Sequence, residues 1–332
     1  MTTTSTLAPS RSTAPDRLAR TRSLPPPRRP VLPELFRSDD VTPADLRAGL
    51  AEGRLVRVAP GLVGVAPPAE PAWRRNEALH LLRVRATLAR VTTDFWFSHE
   101  TAALLWGCWV WGLGTDVHLN QLSTPPSPVR GLLPLRRHTG ALPEEDRSAV
   151  DRLPVTTPTR TALDCACAMP PERALGVVDS ALRAGADLPT LTARADEEAG
   201  RRGIRRARRV IALADPCSDS VGESRTRWHL ASAGLPTPEL DIAVETFLGT
   251  RWIDLGWPDI KVGIEFDGAI KYSGGEYGDP RRRLLEEKRR HDALVEAGWI
   301  LVRVTWVDLA HPERLVARVR AARAAGCRRR RA

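Results

Sequence analysis

Apolar positions are sparse over residues 1 to about 32, which are rich in Ser, Thr, Pro and Arg and end in Leu24-Pro25-Pro26-Pro27-Arg28-Arg29-Pro30. Such a pattern cannot bury a core and reads as a disordered basic arm. Periodicity begins at Val41. Thr42 caps a helix with Pro43 in its first turn, Leu46 and Leu50 share a face, and Gly53 stops it. Leu55 to Val65 then reads as a hairpin turning at Pro60-Gly61. Helix followed by hairpin, within 33–70, is the outline of a winged helix-turn-helix; an ordinary α/β lead-in is the alternative.

Residues 71–215 read as mostly helical. Ser98 caps a helix that runs to Leu105 and stops at Gly107, with Trp106, Trp109 and Trp111 clustered behind it. Tryptophans so placed belong to a core more often than to a base-stacking platform. Val117–Leu122 and Leu132–Arg137 are strand-like. Thr157-Pro158 opens a helix holding Leu163, Cys165 and Cys167, and Pro170-Pro171 separates it from a second. The densest basic run, Arg201 to Arg209, makes either a stripe that follows a phosphate backbone or a solvated linker face. From Asp219 a new order begins, α-β-β-β-α-β-α, self-sufficient as an α/β domain over 219–326 and followed by a basic tail, 327–332.

Composition narrows the class. The 332 residues suit two compact domains plus a tail, and 42% hydrophobic content excludes wholesale disorder. Five Cys without a CxxC pair exclude a disulfide framework and the usual zinc spacings. The best apolar stretch, 95–114, contains His99 and Glu100 with Asp116 beside it, so no membrane span is expected. With no apolar leader at the start, a reduced cytoplasmic compartment is the expectation. Net charge is +10 and the pI near 10.3. A coding bias toward Ala, Arg and Pro inflates that excess, yet it still favours a polyanion, nucleic acid, as partner.

Candidate chemistry gathers near residue 260. In Val262–Asp267, Ile264 and Phe266 point one way and Gly263, Glu265 and Asp267 the other. A hairpin centred on Trp257–Ile260 sets Asp254 opposite Gly263, one diagonal step from Glu265, roughly 7–8 Å away. Asp254, Glu265 and Asp267 then surround a gap above the glycine. Like charges so placed repel, and a hard divalent cation, Mg²⁺ or Mn²⁺, relieves them. The bland alternative is a solvated acidic face.

All three lysines of the chain, Lys261, Lys271 and Lys288, fall within 251–300. Where Arg has displaced nearly every Lys, a surviving ammonium suits a site beside a scissile phosphate, and Lys271 and Lys288 are the candidates. Glu223 either closes a capping box with Ser220, with Arg227 as a surface partner, or joins the acids through its helix.

These residues resemble a known family. Gly222-Glu223-Ser224, Trp252-Ile253-Asp254, Ile264 to Gly268, Lys271-Tyr272, Glu287 to Asp292 and Gly298 to Trp306 look like the very-short-patch-repair-like endonuclease domain of PD-(D/E)xK, restriction-endonuclease-like fold. The resemblance implies a Mg²⁺-dependent DNA endonuclease with Asp254 and Glu265 as metal ligands. The chain departs from the pattern in carrying Asp267 where the family's lysine stands, which puts catalysis in doubt and moves that role to Lys271 or Lys288. Residues 34–185 resemble the abortive-infection type IV antitoxin family, whose members begin with a winged helix-turn-helix. That second resemblance implies a DNA-binding transcriptional regulator, a toxin or other regulatory partner, and a nuclease-like domain without activity.

Overall fold

The computed structural model describes residues 27–123, 133–268 and 280–331, with the side chains of 280–284 left aside. Contacts divide it into two compact units, 26–237 and 238–332.

The first unit opens with β1 (Leu35–Arg37), α1 (Pro43–Ala51), β2 (Leu55–Ala59) and β3 (Leu62–Val65). The Thr42 side chain accepts the Asp45 backbone N–H at 3.2 Å, which starts α1 as its sequence dictates. Strands pair in the order β1-β3-β2. A single helix precedes the hairpin, and among the described residues of 33–70 there is no second α-helix. A helix-turn-helix needs two.

Next come α2 (Ala72–Arg90), β4 (Trp96–Phe97), α3 (His99–Leu105), β5 (Val117–Gln121), β6 (Leu135–Thr139), β7 (Arg147–Val150) and β8 (Leu153–Thr156). They build a five-stranded sheet, β6-β5-β4-β8-β7, with β5–β6 and β4–β8 parallel. The region expected to be mostly helical carries this five-stranded sheet beside its helices. Helices α4 (Pro158–Ala168), α5 (Pro171–Arg183), α6 (Leu188–Glu197), α7 (Ile204–Leu213) and α8 (Val221–Ser232) complete the unit. Its core joins Phe97, Leu105 and Leu119 to Leu163, Leu175 and Leu191, the apolar burial that dominates folding.

Helix α8, read from sequence as the head of the endonuclease-like segment, packs within this first unit. Asp179 on α5 is fully buried and takes Arg227, the Ser224 hydroxyl at 2.6 Å and the Asp215 N–H at 2.9 Å. Burial raises the Asp179 carboxyl above its usual range, while Arg227 pulls it down. Arg227 is itself 1% exposed, so it is no surface partner of Glu223.

The second unit holds β9 (Glu239–Thr246), β10 (Gly249–Trp257), β11 (Val262–Asp267), α9 (Pro280–Glu296), β12 (Ile300–Thr305), α10 (Trp306–Ala310) and α11 (Pro312–Arg331). The strand order is β12-β11-β10-β9, antiparallel except for the parallel β11–β12 pair. A crossover through α9 is what a parallel neighbour requires. Ile242, Val244, Ile253, Leu294 and Trp299 form a core between the sheet and α9. Among the described residues, no helix is long and apolar enough to cross a membrane.

Removing one partner of a buried ion pair strands the other. Asp179→Ala should destabilise the protein by about 3–5 kcal/mol, read as a lower urea midpoint. A cost below about 1 kcal/mol would mean that Arg227 finds solvent or another acceptor.

Candidate functional site

The hairpin that carries the acids turns two residues' worth later than its expected register. Trp257 stays in the strand opposite Val262, Gly256 faces Gly263, and Leu255 faces Ile264. Pro258–Ile260 forms a 3₁₀ turn, closed by Lys261 in the left-handed region at φ 48°. Burial of Trp257 favours this register, and Pro258 donates no N–H to a longer ladder.

The expected gap above Gly263 is filled. A Cβ there would meet Ile253 Cγ2 at 2.8 Å and Leu301 Cδ2 at 2.9 Å. Ile253 thus lies on the Gly263 face and Leu255 on the Ile264 face, so alternation breaks at Asp254. Its cross-strand region is irregular too, with Asp241 at φ 50°. The Asp254 carboxylate accepts the Phe266 backbone N–H at 2.8 Å. It is turned toward the β11 backbone.

Glu265 and Asp267 do share the face covered by α9, and each meets an arginine. Glu265 is buried and forms a 2.7 Å ion pair with Arg290, which also donates to the Trp252 carbonyl at 2.9 Å. Burial raises the Glu265 carboxyl above its usual range, and Arg290 and Arg303 oppose that shift. Arg303 lies 3.7 Å from Asp267 and 3.0 Å from Glu287. The three acids do not bring one oxygen each within 4.8 Å of one another. Asp254, Glu265 and Asp267 therefore do not meet as the three-sided cluster expected from the sequence.

Among the other candidates, Lys288 is exposed on α9. Lys271 lies outside the described residues. Glu223 is buried in the first unit, where its two oxygens accept the Asp219 N–H at 2.7 Å and the Ser220 hydroxyl at 2.8 Å. It caps α8.

The basic run splits between two faces. Arg201 grips the buried Asp164, Arg206 donates to the Cys167 carbonyl and Arg208 to the Ala195 carbonyl, while Arg202, Arg205 and Arg209 are exposed. The tryptophans are covered by arginines, Arg183 over Trp109 at 4.1 Å and Arg225 over Trp111 at 3.8 Å. Trp106 is buried and donates to the Thr156 carbonyl at 2.9 Å.

One constellation was not legible in the chain. Among the described residues, His99, His118 and His138 form the group whose ligand atoms all lie within 4.8 Å of one another. His118 projects from β5 and His138 from its parallel neighbour β6; His118 pairs with Arg136 and His138 with Asn120, so the two are two positions apart in register and share a face. His99 opens α3 at φ 51°, a left-handed conformation that a bulky residue adopts at a cost. Ser98, expected as a conventional cap, lies instead with its hydroxyl 3.0 Å from His99 Nδ1. Burial pushes His99 down to about 3 and His118 to about 4, so both rings are neutral near pH 7. The available signal was compositional: four of the seven histidines fall between residues 80 and 138. The fourth, His80, is satisfied by Thr101 Oγ1 at 2.9 Å and the Gly114 carbonyl at 3.1 Å.

Comparison with known proteins places one family match in this first unit. Residues 114–213, from just before β5 to the end of α7, match the AbiEi antitoxin C-terminal domain. Two uncharacterised proteins of Mycobacterium tuberculosis, from strains CDC 1551 and H37Rv, are each 30% identical over 235 residues, 68% of this chain and 82% of the relative. The match supports the antitoxin resemblance and gives none to a nuclease. By that identity and coverage, the chain belongs to the family of these mycobacterial proteins and contains an AbiEi-antitoxin-like segment.

Proposed function

We propose that the protein is an antitoxin-like, DNA-binding transcriptional regulator whose C-terminal α/β unit does not hydrolyse DNA, and that a toxin is its protein partner. The observation that carries this reading is the match of residues 114–213 to the antitoxin domain. Charge supports it: the net +10 includes exposed Arg202, Arg205 and Arg209 around α7, spaced to follow a phosphate backbone. Arg328 to Arg331 at the end of α11 add a second exposed basic surface.

The chemistry of the C-terminal unit supports the second half. A metal-dependent nuclease needs carboxylates free to take a cation that activates water and offsets charge on the transferring phosphate. Here Asp254 holds the Phe266 N–H, Glu265 pairs with Arg290 and Asp267 lies beside Arg303. The cations beside Glu265 and Asp267 belong to the protein.

Two measurements test the proposal. Purified protein should retard duplex DNA and leave supercoiled plasmid intact in Mg²⁺ or Mn²⁺, with Glu265→Ala behaving identically. Metal-dependent nicking that Glu265→Ala abolishes would overturn the reading and restore the endonuclease. Phosphate contacts are read from the salt dependence of binding, about 0.9 unit of slope each. Arg205→Ala/Arg209→Ala should weaken binding across sequences and lower the slope by about 2. An unchanged slope would remove α7 from the DNA interface.

A further inference from the structure

Three imidazoles from three separate chain segments meet inside the first unit, and the function above makes no use of them. His138 Nε2 lies 3.3 Å from His118 Nδ1. Two nitrogens on a tetrahedral zinc, each about 2.0–2.1 Å from the metal, stand about 3.3–3.4 Å apart. The pair therefore already has the separation that coordination demands. The His99 ring is stacked on His138, with centroids 3.8 Å apart and planes 14° from parallel. A metal cannot lie in both ring planes of a stack, so one of these rings turns on binding.

The outer nitrogens of two of the rings face polar groups. A ligating histidine offers one ring nitrogen to the metal and gives the other to an outer partner that fixes its tautomer. His99 Nδ1 is engaged by Ser98 Oγ at 3.0 Å, leaving Nε2. His118 Nε2 faces Glu100 Oε2 at 4.0 Å, leaving Nδ1 toward His138. Glu100 is in turn held by Arg173 at 2.8 Å.

Negative charge is present beside the rings. Asp164, fully buried, acts electrostatically on both His99 and His138. Its Oδ1 is taken by Arg160 and Arg201, whereas its Oδ2 is buried without a hydrogen-bond partner. An oxygen in that state is costly unless something positive approaches it. Converging imidazole nitrogens, an outer carboxylate and an unpartnered buried oxygen have a common explanation in a bound cation.

We propose that His99, His118 and His138 form a three-histidine site for a divalent transition metal, Zn²⁺ foremost, that ties the start of α3 to strands β5 and β6 and leaves a fourth position for water. Imidazole donors suit zinc, and a site with no thiolate keeps such an open position as readily as a closed one. Loading would clamp the sheet edge within the antitoxin-like segment, stabilising the folded state by mass action.

The full-length protein, stripped of metal with chelator and dialysed, tests this directly. Titration with Co²⁺ should give the visible absorption of a tetrahedral centre, saturating at about one equivalent per chain and displaced by Zn²⁺. His138 is half-buried, so His138→Gln should stay folded by circular dichroism and weaken Zn²⁺ by at least about 100-fold in calorimetry. His118→Gln serves as the second variant and should do the same. Zn²⁺ should raise the thermal midpoint of the parent and leave that of His138→Gln unmoved. Failure of the folded parent to bind Co²⁺ or Zn²⁺ would overturn the proposal, as would affinity that survives both substitutions. DNA retardation is scored separately, so this site and the regulatory reading stand or fall independently.

Discussion

The structure rests on arginine compensating buried carboxylate. Asp179 with Arg227, Asp164 with Arg160 and Arg201, and Asp146 with Arg160 and Arg194 pin the helices of the first unit. Glu265 with Arg290 does the same between sheet and helix in the second, and Arg303 of β12 meets both Asp267 of the sheet and Glu287 of α9. A guanidinium has five donors in a fixed fork and stays charged at any working pH, so it can serve two acceptors at once. Arg290 does so between Glu265 and the Trp252 carbonyl. Taking both charges out of water is expensive, and only good geometry recovers the loss. A chain that has replaced almost every lysine by arginine gains many chances to meet that condition.

This constraint alters the meaning of the acidic cluster. In the sequence, Asp254, Glu265 and Asp267 look like mutual repulsion awaiting a metal. In the fold, the same residues are part of the internal electrostatics of a β-β-β-α-β-α unit. The order of elements and the parallel β11–β12 pair retain the outline that suggested an endonuclease, while the side chains around it are arranged for neutralisation. Fold and activity separate readily in this way, because chemistry lies in a few side chains placed on a common scaffold.

Local signals in the chain were legible. Thr42, Thr157 and Ser220 each cap the helix they precede, and Pro43 and Pro158 occupy the first helical position. The strands Val117–Gln121 and Val262–Asp267 form where the sequence places them. What escaped depends on partners distant in sequence. The two-residue strand Trp96–Phe97 exists because Leu119 and Val155 flank Phe97 on either side. Nothing in Trp257-Pro258-Asp259-Ile260 says that the tryptophan stays in the ladder, yet that choice moves the register by two, and the break in alternation at Asp254, which periodicity does not show, turns its carboxylate toward the β11 backbone. Arg227 looks like a surface residue until Asp179, 48 positions earlier, is seen beneath it. His99, His118 and His138 are separated by 19 and 20 positions, far beyond any local ligand spacing, and only the parallel pairing of β5 with β6 brings two of them together.

Two cations of the protein, Arg290 and Arg303, stand against Glu265 and Asp267 in the C-terminal unit, where a bound metal would otherwise sit. Electron paramagnetic resonance of Mn²⁺ titrated into the full-length protein tests this most directly, with Glu265→Gln as the control. The account predicts that parent and variant leave the same concentration of free Mn²⁺ throughout. Stoichiometric uptake by the parent that Glu265→Gln removes would contradict it.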